Sequence, residues 1–506
     1  MLNMATETDA RSAPKLPAPR SAGRGVSRRA ILAAAIAGGA GVAAVRLLGL
    51  NGTAPALGQR VNGGTDWISP LANENARVMQ LLRRATFGAG PADLERALSD
   101  GYQKTVDRLL SSPAAKPPAL PGAESASRAA PIKVAQLQKW WLDHMLSTPT
   151  PFAERMTMFW HGHFTSDYRK VNLQTPFIYW QNLTWRDNAL GDFRNFLYQV
   201  TIDPGMLRYL DLGASTGQSP NENYARELLE LFTMGAGSFT EDDVRAAAKA
   251  LSGWREPRTP GMVTDAMNNP NATAAQKAQA AKTPADSSKV GIFDPNRAYG
   301  YKGGPITFLG KSSKFDTKAV LAQILAQKAT APFIVQRVLV NFVMPNPPPA
   351  TVNRLATSFV KSGWSIRQLM HDVFVSDEFK AEASYRSLVK QPVELMAHGL
   401  RALGANDQSA IALKAASGMG QNLFDPPDVG GWPLNESWIS SNTVLARVNF
   451  VTGLIAAVKN LPPATDAHLH NLDGVLSPAT ANLLNAASTD LDRWILVLAS
   501  PEFQLK

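Results

Sequence analysis

Residues 158–168 read MFWHGHFTSDY, two histidines around one glycine in an aromatic setting. Imidazole is the commonest metal ligand among side chains and titrates near neutral pH. To share an ion, His161 and His163 need their rings on one side. On an unbroken helix, positions two apart point about 200° from each other. A helix that stops at His161 relaxes this constraint, and the local signals allow one. Thr150-Pro151 makes a good start, with Thr150 as N-cap and Glu154 in the first turn. Phe152, Met156, Phe159 and Trp160 then form one apolar stripe. Gly162 suits the left-handed position after the last turn, which makes His161 the C-cap, favoured there by the helix dipole, and leaves His163 beyond the end. An ordinary capped helix with two packed histidines accounts for the same residues.

PNENYARELLELFTMG, at 220–235, supplies carboxylates. Tyr224, Leu228, Leu231 and Phe232 read as a buried stripe. Glu222, Arg226 and Glu230 read as a surface ladder at i, i+4 spacing, with Asn221 as cap. If this helix meets the histidines, Glu222, Glu227 and Glu230 join His161 and His163 as a site for a divalent metal, with Glu222 the leading carboxylate ligand. The chain has neither H-E-x-x-H nor a paired E-x-x-H, the usual zinc-hydrolase and di-iron spacings.

A third segment, FDPPDVGGWPLNESW at 424–438, is a proline-stiffened loop. Trp432 and Trp438 could stack on a sugar ring or on a partner's surface, with Asp425 or Asp428 beside them as acid or base. The competing reading is a loop that plugs its tryptophans into the core. GPITFLGKS resembles a phosphate loop but has five residues between Gly304 and Gly310 where about four are required. HLH at 468–470 reads as part of a polar loop without companion ligands. No G-x-S-x-G and no cysteine nucleophile is present.

The elements that must position these residues are helical. Period-3.6 patterning dominates beyond about residue 70: ENARVMQLLRRATFG stopping at Gly88, PADLERALSDG closed by Gly101, VAQLQKWWLDHML, and further helices near 151–161, 176–188, 191–202, 221–234 and 240–252. Helices resume near 317 and run to the end, broken by prolines at 345–350 and by the 424–438 loop. Residues 111–128 look like a linker, and 258–300, rich in Pro, Asn, Ala and Ser, like a surface excursion. Period-2 alternation is scarce. The expectation is an all-α protein, a large multi-helix bundle with long irregular loops, in which 57–506 form one domain. Ser-x-Glu-Phe recurs after helical stretches at 376–379 and 500–503, which chance or shared turn chemistry explains.

The formal charge of +10 points to a polyanion partner only until it is divided along the chain. Residues 1–56 hold seven basic and two acidic residues, leaving 44 basic against 39 acidic over the rest. So small an excess on a body this size argues against nucleic-acid binding. The amino-terminal excess has another reading. Ser27-Arg28-Arg29 precedes the small apolar run AAAIAGGAGVAAV, with Ala54-Pro55-Ala56 as a cleavage site: a twin-arginine signal peptide over 1–56. The run is shorter than the ~20 residues of a membrane span. A protein exported folded, to the periplasm or beyond, with no cysteines to pair, must be stabilised by its core. No later stretch reads as a stable membrane span.

Six segments in order, LLRRATFG (81–88), MFWHGHFTSD (158–167), PNENYARELLELFTMG (220–235), TFLGKSSKFD (307–316), LVKQPVELM (388–396) and MGQNLFDPPDVGGWP (419–433), resemble the bacterial family called domain of unknown function 1800. The resemblance covers about 75–506 and implies no particular activity. It implies export, and a partner: genes of this family often neighbour those of another exported family, domain of unknown function 1501, similar to alkaline-phosphatase and sulfatase-type proteins. Before TFLG many relatives carry a His-Asp pair where this chain reads NRAYGYKGG, and a ligand or base role there does not pass to Tyr299. Three functions remain open: a binding or accessory protein acting with that neighbour, a metal-dependent hydrolase, and a carbohydrate-active or carbohydrate-binding protein.

Overall fold

The helix Pro151–His163 is buried on nearly every side, only Pro151 and Gly162 being part-exposed, and the rest of the chain is arranged around it. A computed structural model describes Leu71, residues 74–299 and residues 303–506. The expected twin-arginine signal peptide, 1–56, lies outside the described residues. Among the described residues helix accounts for 61% and strand for 4%, with no barrel or closed sheet, so the fold is all-α. No helix among the described residues is long and apolar enough to cross a membrane.

We number only the helices that matter to the site. Helix α1 (Glu74–Ala85) and α2 (Pro91–Ser111) pack as a pair, and Gly101 interrupts α2 with φ 77°. Helices α3 (Val134–Ser147) and α4 (Pro151–His163) follow. Then come α5 (Phe177–Asn188), α6 (Phe193–Thr201) and α7 (Asn223–Glu227), which widens into a π turn over Leu228–Thr233. Next are α8 (Glu241–Leu251), α9 (Thr330–Phe342), α10 (Pro392–Ala402), α11 (Ser409–Met419) and α12 (Ser441–Ala457). One hydrophobic cluster runs without a break from Val78 to Phe503. Its aromatic centre lies on α4, where Trp160 meets Phe164, Phe193 and Phe196 at centroid separations of 5.3–5.8 Å.

A helix buried all round cannot carry free charge. The Glu154 carboxylate takes a two-pronged contact from Arg186 at 2.7 and 2.8 Å and a bond from Trp141 Nε1 at 2.5 Å, while Arg155 pairs with Glu394.

Residues 112–133, which cover nearly all of the stretch 111–128 read as a linker, are irregular and form a packed strap. Leu120, Ala123 and Ala126 are buried, and Trp140 Nε1 donates to the Pro118 carbonyl at 2.7 Å. The excursion at 258–300 is mostly exposed but folded, with helices Pro260–Asn268 and Ala274–Lys282. Its base is closed by Trp254–Arg255 pairing antiparallel with Ile292–Phe293. The TFLGKSS segment is a hairpin, Ile306–Phe308 against Lys311–Ser313, turning at Leu309 and Gly310, both at positive φ. That geometry is a hairpin turn, not a strand-to-helix phosphate loop. His468 and His470 fall within a short helix, Ala467–Leu472, not in a loop.

Candidate functional site

Helix α4 does not stop at His161. It continues through His163 to a C-cap at Phe164, and Gly162 is not among the positive-φ glycines. The expected C-cap role of His161 is therefore corrected: aromatic packing on both sides holds the last turn helical. Thr150 occupies the N-cap position without capping; its hydroxyl accepts from Ala115 N at 2.8 Å and so fastens the strap.

With the helix unbroken, the imidazoles face apart. His161 sits among Trp141, Phe424 and Trp432, with ring centroids at 4.8, 5.2 and 5.3 Å, and its buried Nε2 has no partner. His163 sits among Phe159, Phe164, Phe232 and Phe333. Its Nε2 lies 3.0 Å from the Phe232 carbonyl. A carbonyl only accepts, so Nε2 carries the proton. Burial pushes both rings down to about 3; at His163 the Arg337 charge adds to this and the Phe232 carbonyl opposes it. Both are neutral at neutral pH. Glu222 pairs instead with Arg226 at 3.3 Å, and Arg226 grips Glu241 at 2.7 and 2.8 Å. Asn221 does act at the helix start, its Oδ1 accepting from Asn223 N at 2.9 Å. Among the described residues no three His, Cys, Asp or Glu side chains gather so as to hold a metal ion. The set His161, His163 and Glu222 does not fit a shared cation.

The three segments nevertheless meet. His163 joins the first to the second through Phe232. Gly431 joins the third to the first. It stands at φ 87°, and a Cβ there would fall 2.3 Å from the Gly162 carbonyl oxygen, an approach only glycine permits. Trp432 is part-exposed and lies over Gly162 and His161, its Nε1 buried without a partner. Trp438 is 2% exposed and packs beside Gly420, so it offers no face to a ring from solution.

Past the end of α4 the chain builds a polar corner. Asp167 caps the short helix Tyr168–Val171 and holds Arg169 at 2.8 and 2.7 Å. Arg169 Nε also lies 3.2 Å from Asp425 Oδ1, near enough for ion pairing although the angle is not that of a hydrogen bond. Asp428 accepts from Gly430 N at 2.8 Å and so braces the turn that delivers Gly431. The Tyr209 hydroxyl feels this corner: burial first, then the Asp167 and Asp428 carboxylates, pushes it up to about 12, Arg169 opposing and Glu227 contributing. Burial, with the Glu230 carboxylate nearby, pushes Glu227 up, and Arg226 opposes. Thus Glu227, Asp425 and Asp428 share a neighbourhood with Asp167, Arg169 and Tyr209. Glu222 and Arg226 belong to the ladder with Glu241. Asp167 closes one of the sequence segments and was visible there, but nothing local marks Tyr209 or Arg169 as its companions.

A family model described as "Protein of unknown function (DUF1800)" matches residues 80–505. The chain belongs to that family. No curated protein and no solved structure matches it. In DUF1800 terms, three of the six ordered segments thus converge on one end of α4.

Proposed function

We propose that this DUF1800 protein is an exported binding protein, carried by the twin-arginine route to the periplasm or beyond, whose recognition surface is the corner of Asp167, Tyr209, Glu227, Asp425 and Asp428. The single observation that carries this reading is the convergence of three separated segments on part-exposed and exposed carboxylates, Asp167 and Asp425 beside Arg169 and Asp428 held by the Gly430 N–H, while both histidines are buried and neutral. Fixed, part-desolvated carboxylates suit recognition of a cationic patch, because their orientation is set before the partner arrives. The partner we favour is the exported phosphatase- or sulfatase-like protein of the domain of unknown function 1501 family. The hydrolase and carbohydrate readings draw less support, since the histidines face apart and Trp438 is internal.

The test is affinity for that partner at two salt concentrations. Glu227→Gln, Asp425→Asn and Asp428→Asn combined should weaken binding at least tenfold and flatten its salt dependence, with the melting temperature little changed. Binding unaltered by the triple variant, or no association of the wild-type chain at low salt, sinks the proposal.

A further inference from the structure

Away from this corner, the buried side chains carry more positive than negative charge around one place. Arg83 and Arg386 share Asp473, while Arg155 and Lys506 share Glu394. Arg84, Lys390 and Arg447, each 2% exposed or less, have no carboxylate within ion-pair distance among the described residues. They bond neutral oxygens instead. Arg84 donates to the Ser384 carbonyl at 2.5 Å and to Ser387 Oγ at 3.2 Å, and Lys390 to the Phe503 carbonyl at 2.6 Å. Arg447 donates to Gln504 Oε1 at 3.2 Å and to the Lys390 carbonyl at 2.9 Å, and its buried Nε–H has no partner. Isolated buried cations are costly, and nature normally pairs them. Burial lowers Arg447 to about 10, and the Glu394 charge opposes it.

Arg447 and Gln504 form part of the wall of a cavity of about 120 Å³ between α12 and the carboxy-terminal segment. Most of the remaining wall is apolar: Pro345, Val389, Ile439, Val444 and Leu505. Ser387, the residue that touches Arg84, lines it too. Glu436 also lines it and is exposed, so an anion is repelled at the solvent side and attracted inward. The volume is close to the ~150 Å³ of an apolar cavity able to take benzene.

We propose that this cavity binds a small apolar monocarboxylate, its hydrocarbon body against Val444, Ile439 and Leu505 and its carboxylate on the Arg447 guanidinium. A carboxylate there reduces the unpaired positive charge shared by Arg447, Lys390 and Arg84. The apolar wall selects against acetate or inorganic anions, and the guanidinium selects against neutral molecules of the same shape.

Titration calorimetry of the purified chain with hexanoate and benzoate tests this. Saturable one-to-one binding of at least one is expected, at least tenfold tighter than hexanol, benzyl alcohol or acetate. Arg447→Met should weaken it at least tenfold. Val448→Trp, which fills the cavity from its part-exposed rim and leaves the guanidinium in place, should abolish it, and decides the matter should Arg447→Met fail to fold. Absence of saturable binding by either acid overturns the proposal. So does equal affinity for hexanol and hexanoate, or wild-type affinity in a folded Arg447→Met or Val448→Trp chain.

Discussion

His161 and Glu154 lie seven positions apart on one buried helix and make the protein acid-sensitive in two overlapping windows. His161 is held neutral, its pKa falling from 6.5 to about 3. Between those limits the unfolded chain binds a proton that the folded one refuses, so stability falls as pH drops below 6.5 and stops falling near 3. For Glu154, burial raises the carboxyl, but Arg186 and the His144 contact outweigh it and hold it down to about 2. Its contribution is complete above the ordinary value of 4.5 and is lost as pH falls through about 2. A phenyl ring in place of His161 keeps the contacts to Trp141, Phe424 and Trp432 without the titration. His161→Phe should therefore lose about 2 kcal/mol less stability than wild type between pH 7 and pH 4.5. Urea midpoints at the two pH values check this, and equal losses would show that His161 is not desolvated as described. The chemistry-bearing residues were legible here, but their environments were not. Gly162 looked like a helix end because the local signal is the same for a C-cap glycine and for a glycine that admits another chain. Only the distant Gly431 distinguishes them.

Gly431 sets the entry of the 424–438 loop onto α4, and that contact belongs to the element scale. Gly431→Ala would force a Cβ to 2.3 Å from the Gly162 carbonyl and strain a φ of 87°. It should cost about 1–3 kcal/mol and loosen the corner. Gly430→Ala is the control, since its φ is not positive and its Cβ would meet only the Asp428 carboxylate, at 3.1 Å. Equilibrium denaturation of both variants measures the difference, and equal effects would mean the loop is not seated as described. Helix positions were well read from periodicity because the period is local: the expected 176–188, 191–202 and 240–252 became Phe177–Asn188, Phe193–Thr201 and Glu241–Leu251. The repeated Ser-x-Glu-Phe also has a local cause. Ser376 Oγ accepts from Phe379 N at 3.2 Å and Ser500 Oγ from Phe503 N at 3.1 Å, the same cap at two helix starts. The stretch read as a linker at 111–128 is irregular yet packed, because Ala, Pro and Ser composition marks irregular backbone, not whether distant side chains pack on it.

At the scale of the molecule, convergence was expected at the start of α7, among Glu222 and the histidines. It occurs instead at the far end of that element, through Phe232, and around Asp167, Asp425 and Glu227. The six ordered segments identified the family and marked three parts of the corner. They left unseen the interior excess of cations around Arg447, because charge balance between residues so far apart in sequence exists only in three dimensions. The chain contains no cysteine, so a pair introduced anywhere is unique. The most direct test of the corner is intramolecular cross-linking by a short flexible bis-maleimide. Asp167→Cys would be combined in turn with Asp425→Cys and with Glu227→Cys in the native protein. The account predicts efficient linkage of both pairs, abolished in denaturant; free reaction of each single cysteine with linkage of neither pair would contradict it.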